Sequence, residues 1–351
     1  MSVTLSPDQA RALDEIEAWI KSRRKRKTLG GYAGTGKTTL IREIIRRHDA
    51  SVCAFTGKAA SVLQSKGVEA STMHRLLYRP IHTGGEVRFI KVDRLPTKLV
   101  IVDEASMVDK TLMRDLESFR AKVLYVGDHG QLEPVGDDPG LMHAPDIRLE
   151  QIHRQASDSP IIQFAHHVRE GRAPRSFGDE AQVLARAPSS LLLQHDAVLC
   201  GYNKTRVDVN RRIREARGLS GDVPAVGERV ICLRNHREYG IFNGQQATVV
   251  SVRKSGKTRL RMVVKDDMGV TSPEMICEAR QFGAQSTMKK AKYDLALWDW
   301  GYALTVHKSQ GSEWPRVLVL EQIHPDWSAD RWRYTASTRA AERLTYVRRR
   351  K

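Results

Sequence analysis

Eight residues near the start of the chain, Gly31-Tyr32-Ala33-Gly34-Thr35-Gly36-Lys37-Thr38, fit the pattern G-x-x-x-x-G-K-[ST] at every constrained position. Glycines let such a backbone curl until its N–H groups point at phosphate oxygens. Lys37 can then reach the terminal phosphates of a nucleotide, and the Thr38 hydroxyl can sit on Mg²⁺. Further on, Asp103 and Glu104 follow the apolar run Leu99-Val100-Ile101-Val102. The first carboxylate can hold Mg²⁺, and the second can orient and deprotonate an attacking water. A strand-end Asp is also a common cap, so the pair gains its meaning from the phosphate loop upstream. Gln131 stands just beyond a second such run, Val123-Leu124-Tyr125-Val126-Gly127-Asp128. Phosphoryl transfer also needs cations on the developing charge. Arg154 and Arg339 are candidates, and each is equally readable as a surface arginine.

These groups need elements to position them. Lys27-Thr28-Leu29 reads as a strand entering the phosphate loop, and Leu40, Ile41, Ile44 and Ile45 recur at helical spacing behind it, so the loop opens a helix whose N-terminus attracts anions. Ser6-Pro7-Asp8-Gln9 starts an earlier helix with a capping box, and Ala10, Leu13, Ile16 and Ile20 mark its buried face. The basic run Lys21 to Lys27 complements that helix's C-terminus and reads as a solvated end. Alternating strands and helices from residue 28 to about 150 predict a parallel α/β domain. Between Tyr78 and Pro96 the pattern changes to a β-hairpin around Thr83-Gly84-Gly85-Glu86. A second α/β domain is expected over 151–227 and 294–351, interrupted at 228–293 by short strands that read as a small β-barrel.

Composition narrows the partners. The 351 residues carry a formal charge of +17, which favours a polyanion such as nucleic acid over an ordinary metabolite. The chain shows no apolar run long enough for a membrane span, and Met1 to Leu5 lacks the layout of a secretion signal. Cys53, Cys200, Cys232 and Cys277 are scattered, without a C-x-x-C pair, and read as reduced thiols of a cytoplasmic protein.

In this order the segments resemble superfamily 1 helicases of the branch that moves 5′ to 3′, the RecD-like and Dda-like enzymes. Leu5 to Gln9 is similar to the adenine-reading segment, Gly31 to Thr39 to the phosphate loop motif, and Val102 to Met107 to the acidic motif. Val126 to Leu132 and Glu150 to Gln155 resemble the third and fourth motifs. Ala303 to Glu313 and Tyr334 to Ala340 resemble the fifth and sixth. The resemblance implies a P-loop α/β fold with two RecA-like domains and ATP with Mg²⁺ between them. The hairpin at 79–97 would be a strand-splitting pin and the barrel at 228–293 an SH3-like insertion.

The implied catalytic set is Lys37, Glu104, Gln131, Arg154 and Arg339. Gln9, Gly31, Gly34, Thr35, Gly36, Lys37, Thr38, Thr39 and Glu313 would hold ATP, and Thr38 and Asp103 the metal. Thr56, Lys58, His74, Phe89, Thr305, His307 and Ser309 would touch DNA, mostly at phosphates. Outside these motifs His74 and His307 would read as satisfied structural histidines, and Phe89 can equally pack the hairpin onto its domain. The expected protein is a monomeric, ATP-driven 5′-to-3′ DNA helicase of replication, repair or recombination. It would meet single-stranded and fork DNA, with a single-strand-binding protein as a further partner. Two rivals remain at this level: a translocating subunit of a larger complex, and an ATP-gated single-strand clamp. A P-loop kinase leaves the second domain and the late arginines without a purpose.

Overall fold

The computed structural model describes residues 5–83, 86–133, 137–152, 158–236, 238–267, 269–288, 291 and 294–348. The chain divides into two compact units. Met1–Arg79, Ile90–Ala173 and Ser328–Thr338 make the first, and Pro80–Phe89, Pro174–Trp327 and Arg339–Lys351 the second.

The first unit runs α1 (Pro7–Lys21), β1 (Arg26–Gly31), α2 (Lys37–Arg47), β2 (Ala50–Ala54), α3 (Gly57–Ser65), β3 (Ala70–Thr72) and α4 (Met73–Leu77). The two-stranded hairpin β4 (Tyr78–Thr83) and β5 (Glu86–Lys91) intervenes, and its tip, Gly84–Gly85, lies outside the described residues. Then follow β6 (Leu99–Asp103), α5 (Lys110–Glu117), β7 (Lys122–Gly127), β8 (Ile147–Leu149) and α6 (Pro160–Arg169). Six strands pair in parallel in the order β3-β2-β6-β7-β1-β8. The apolar runs of β6 and β7 are buried, as strands of a sheet covered on both faces must be. Their side chains alternate between two cores: Leu99, Ile101, Leu124 and Val126 join Leu40, Ile41 and Ile44 of α2, while Val100, Val102, Val123 and Tyr125 meet Leu112 and Leu116 of α5. In α1 the capping box is present, but the buried stripe is Ala12, Leu13, Ile16 and Trp19. Ala10 is exposed and Ile20 only half-buried, while Trp19 joins the core.

The second unit holds β9 (Ala181–Leu184), β10 (Ala197–Cys200), α7 (Asn203–Ala216), β11 (Arg229–Cys232), β12 (Gln246–Lys254), β13 (Arg259–Asp266), β14 (Met275–Glu278), β15 (Trp298–Trp300), β16 (Ala303–Thr305), β17 (Trp314–Leu320) and β18 (Ala340–Val347). A parallel sheet has the order β16-β10-β17-β18-β9, and an antiparallel one β14-β13-β12-β11-β15. The helix α7 reads as basic in sequence, yet two of its arginines are buried in ion pairs. Arg206 Nη1 donates to Asp299 Oδ2 at 2.5 Å, and Arg214 Nε to Glu228 Oε1 at 2.8 Å. Buried charges persist only when paired and hydrogen-bonded, so these bonds fix α7 against the antiparallel sheet.

A last helix, α8 (Ala329–Ser337), belongs to the first unit and packs on α6. The compact units therefore part after Ala173, and not at the sequence boundary of 150, with α8 joining the first unit. Packing decides this: α6 and α8 cover one another and the phosphate loop. All four cysteines are free and buried. Among the described residues no helix is long and apolar enough to cross a membrane.

Candidate nucleotide site and nucleic-acid surfaces

Strand order brings the acidic and basic groups of the first unit together. β1 lies beside β7, and β7 beside β6, so the segments after all three emerge at one sheet edge. This C-terminal edge is where open α/β sheets bind ligands. After β1 the chain turns through Gly34 and Gly36, with φ of 81° and 77°, a backbone form that glycine adopts without strain. Gly36 is the N-cap of α2, which begins at Lys37. The Lys37 Nζ donates to the carbonyls of Gly31 at 2.6 Å and Tyr32 at 3.0 Å, curled over the loop. Thr35 is buried, and its hydroxyl donates to the Tyr32 carbonyl at 2.8 Å, while Thr38 and Thr39 are half-buried on the first turn of α2. Gln9 is buried beneath the loop, its amide Nε2 3.3 Å from the carbonyls of both Thr35 and Gly36. Its Oε1 accepts from the Ser6 N–H at 3.1 Å. In this geometry Gln9 braces the phosphate loop as well as capping α1.

Asp103 ends β6. Burial pushes its carboxyl above the ordinary range, and the nearby Lys37 charge works against that rise. Glu104 follows with φ of 53°, the one non-glycine residue with positive φ among those described. A left-handed residue after a strand turns the chain sharply and re-aims its side chain. After β7, Asp128 is buried and accepts from the Gly130 N–H at 2.9 Å and from the Gln131 amide Nε2 at 3.4 Å. That leaves Gln131 Oε1 buried without a hydrogen-bond partner, as is Ser106 Oγ. Both residues line one small pocket in the first unit, together with Asp128 and His129. An open Gln131 Oε1 at the same sheet edge as Asp103 and Glu104 suits an attacking water, and the carboxylates suit a hydrated cation, so the donor set fits Mg-nucleotide chemistry.

Several residues that sequence reading did not single out surround the loop. The Tyr32 ring lies 4.1 Å from His129, 5.8 Å from His166 and 6.2 Å from Tyr334, with the Arg169 guanidinium 3.7 Å above it. Burial holds both histidines below their ordinary pKa. The Asp8 Oδ2 accepts from the N–H groups of Glu150 and Gln151 at 3.1 and 3.3 Å, tying the start of the fourth motif to α1. Arg154 lies outside the described residues, as does the side chain of Phe89.

Of the residues expected at nucleic acid, Thr56 caps α3 with Lys58 half-buried beside it, and His74 is half-buried on α4, a helix capped by Thr72. The His74 ring is 6.0 Å from Tyr78. In the second unit Thr305 and Ser309 are buried; the Thr305 hydroxyl accepts from the Lys308 N–H, and that of Ser309 donates to the Val306 carbonyl. The half-buried His307 meets Trp327 at 4.8 Å, and Tyr202 and His324 meet the same indole at 5.9 and 5.6 Å. Tyr202, His307 and Trp327 follow β10, β16 and β17, three adjacent strands, so the aromatic group stands at that sheet's C-terminal edge. Glu313 is half-buried just before β17. Arg339 is buried in the same unit, with Nη1 donating to the Ser312 carbonyl at 3.1 Å.

The AAA domain family matches residues 4–186, and the UvrD-like helicase C-terminal domain matches 301–347. The ATP-dependent RecD2 DNA helicase of Deinococcus radiodurans is 32% identical over 386 residues, covering 97% of this chain and 48% of that protein. The ATP-dependent DNA helicase dda of Enterobacteria phage T4 is 31% identical over 189 residues, 48% of this chain and 43% of the relative. The chain thus spans about half the length of these two curated relatives. Among solved structures, a Pif1 helicase from Bacteroides, in complex with ADP-AlF3 and single-stranded DNA, has a TM-score of 0.57 at 18% identity. The match covers 98% of this chain and 92% of that one, a likeness of fold. With its phosphate loop, acidic pair and two parallel sheets, the chain belongs to the AAA domain family and is similar to superfamily 1 helicases.

Proposed function

We propose that this chain is an ATP-driven DNA helicase that moves 5′ to 3′ on single strands and separates duplexes. The observation that carries the reading is the convergence of Lys37, Asp103, Glu104 and Gln131 at the ends of three neighbouring strands. Lys37, released from the Gly31 and Tyr32 carbonyls, binds the terminal phosphates beside the loop N–H groups. Thr38 and Asp103 would hold Mg²⁺, which when bound neutralises phosphate charge and supports the leaving group. Glu104 accepts the proton of the attacking water at a carboxylate oxygen, and Gln131 Oε1 orients that water. Arg154 and Arg339 are the cations assigned to the transferring phosphoryl group, and Gln9 and Glu313 complete the nucleotide contacts. Support comes from the positive charge and from the named activities of the relatives.

Single-stranded DNA is assigned to Lys58 and His74 in the first unit and to His307 in the second, joined by Trp327 and Tyr202 as stacking surfaces for bases. Thr56, Thr305 and Ser309 shape these segments through caps and turns, and their backbone N–H groups serve as phosphate donors. The hairpin β4–β5 is assigned as the pin, and the antiparallel sheet β11–β15 as the SH3-like insertion. The protein acts as a monomer on fork DNA. A strand-displacement assay with DNA and RNA tails of both polarities tests this. ATP-dependent release from a 5′-tailed DNA substrate, with little from a 3′-tailed one, is expected; the reverse polarity, or no release with ATP turnover intact, overturns it.

A further inference from the structure

The segment after β7 has bonds of its own through Asp128, and α8 adds more. Arg331 Nη1 donates to the Gln131 carbonyl at 3.3 Å and to Glu133 Oε1 at 3.1 Å, and Thr335 Oγ1 accepts from the Leu132 N–H at 2.8 Å. Tyr334 does more. Its ring is fully buried, and its hydroxyl accepts from the Ala33 N–H at 2.7 Å and donates to Asp128 Oδ2 at 2.6 Å. Ala33 belongs to the phosphate loop, and Asp128 is the carboxylate that receives the Gln131 amide. One phenol oxygen therefore ties the loop that would bind phosphate to the segment that would orient water. Space enforces the contact: a Cβ on Gly130 would lie 2.9 Å from Tyr32 and 3.1 Å from Tyr334.

The hydroxyl is used at both ends. As acceptor it satisfies the half-buried Ala33 N–H of the loop, and as donor it meets part of the buried Asp128 carboxylate's need for partners. The Ala33 N–H thereby points at Tyr334 and leaves phosphate contact to the amides from Gly34 onward. The same bond orients the Asp128 carboxylate, which in turn sets the Gln131 side chain with its Oε1 open. Removing the hydroxyl leaves the ring packing intact, including the Tyr32–His129 contact, and cuts the hydrogen bonds that join these two segments.

We propose that Tyr334 is a positioning residue for ATP turnover, acting through Asp128 on Gln131 and through Ala33 on the phosphate loop. The inference rests on the ATPase reading above. Its effect belongs to turnover and not to nucleotide affinity, because the phosphate-facing amides and Lys37 do not depend on the phenol.

The test is Tyr334→Phe in the full chain, with DNA-stimulated ATP hydrolysis measured against ATP concentration and with melting temperature as a folding check. A fall in kcat of roughly 5- to 150-fold is expected, the range set by leaving one buried polar group unpaired. KM for ATP should change less than threefold by the same argument, about 0.6 kcal/mol or less. Asp128→Asn should reduce kcat comparably, and the double variant should lose little more than the worse single one, since both break one connection. Wild-type kcat in Tyr334→Phe, or a fall in melting temperature alone, overturns the proposal, as does full additivity in the double variant. If Tyr334→Phe does not fold, Asp128→Asn decides alone, and unchanged turnover there overturns it. Absence of ATP hydrolysis in the unaltered protein would instead overturn the ATPase reading itself, a distinct result.

Discussion

Glu104 offers a test in which stability and activity move in opposite directions. Its φ of 53° places an L-residue in the left-handed region, where contact between Cβ and the following carbonyl costs about 1–2 kcal/mol. Glu104→Ala keeps that strain and removes the carboxylate. Glu104→Gly also removes the carboxylate but relieves the strain, at an entropic cost of about 0.5–1 kcal/mol in the unfolded chain. The glycine variant should therefore exceed the alanine variant by about 0.5–1 kcal/mol, or about 1–4 °C in melting temperature for a unit of this size. Both should lose ATP hydrolysis by about 10²–10⁴-fold, the typical contribution of a general base, and Glu104→Gln, nearly the same shape, should lose as much. The assay is thermal unfolding by circular dichroism alongside steady-state ATPase with saturating single-stranded DNA. An alanine variant more stable than the glycine one refutes the strain argument. Near-normal turnover in Glu104→Gln refutes the assignment of Glu104 as base. If both hold, the residue is kept in a costly conformation for the direction in which it aims its carboxylate.

Lys37→Ala should abolish ATP hydrolysis while single-stranded DNA binding by fluorescence anisotropy stays within a fewfold; retained turnover would remove Lys37 from the phosphate site. Trp327→Ala should weaken binding of an oligo-dT strand by about 5- to 150-fold, the range for loss of one stacked base, and leave an abasic strand of equal length unaffected. Equal weakening of both strands would make the indole a packing element. Deleting the hairpin tip from His82 to Val87 should preserve DNA-stimulated ATPase and abolish strand separation, and full unwinding by the shortened protein would place the splitting element elsewhere. The histidines of the first unit give a pH signature. Burial keeps His129 and His166 below their ordinary value, so the unfolded chain binds more protons than the folded one between the lowered value and about 6.5. Stability in that window rises with pH, and the melting temperature should fall on going from about pH 7.5 to about pH 5.5. A flat or rising profile would contradict neutral histidines beside Tyr32.

What the sequence determined by itself was local in origin. The phosphate loop is eight consecutive residues, the acidic pair is two, and the strands β6, β7 and β10 are short apolar runs, so composition and spacing reveal them without reference to anything distant. The capping box of α1 is legible for the same reason. The tertiary structure decided whatever depends on the order of strands in a sheet or on which face packs. Gln9 lies under the loop because α1 is packed against the first unit's sheet, and no spacing in the chain carries that information. Arg206 and Arg214 look like solvated charges until β15 and the turn before β11 supply Asp299 and Glu228. Tyr202, His307 and Trp327 are far apart in sequence and meet only because β10, β16 and β17 are neighbours. The left-handed turn at Glu104 is equally invisible, since glutamate has no preference for it and the surrounding packing imposes it. Tyr334 was legible as part of a motif, but its bonds to Ala33 and Asp128 arise from α8 folding back within the first unit, contacts across 301 and 206 residues of chain.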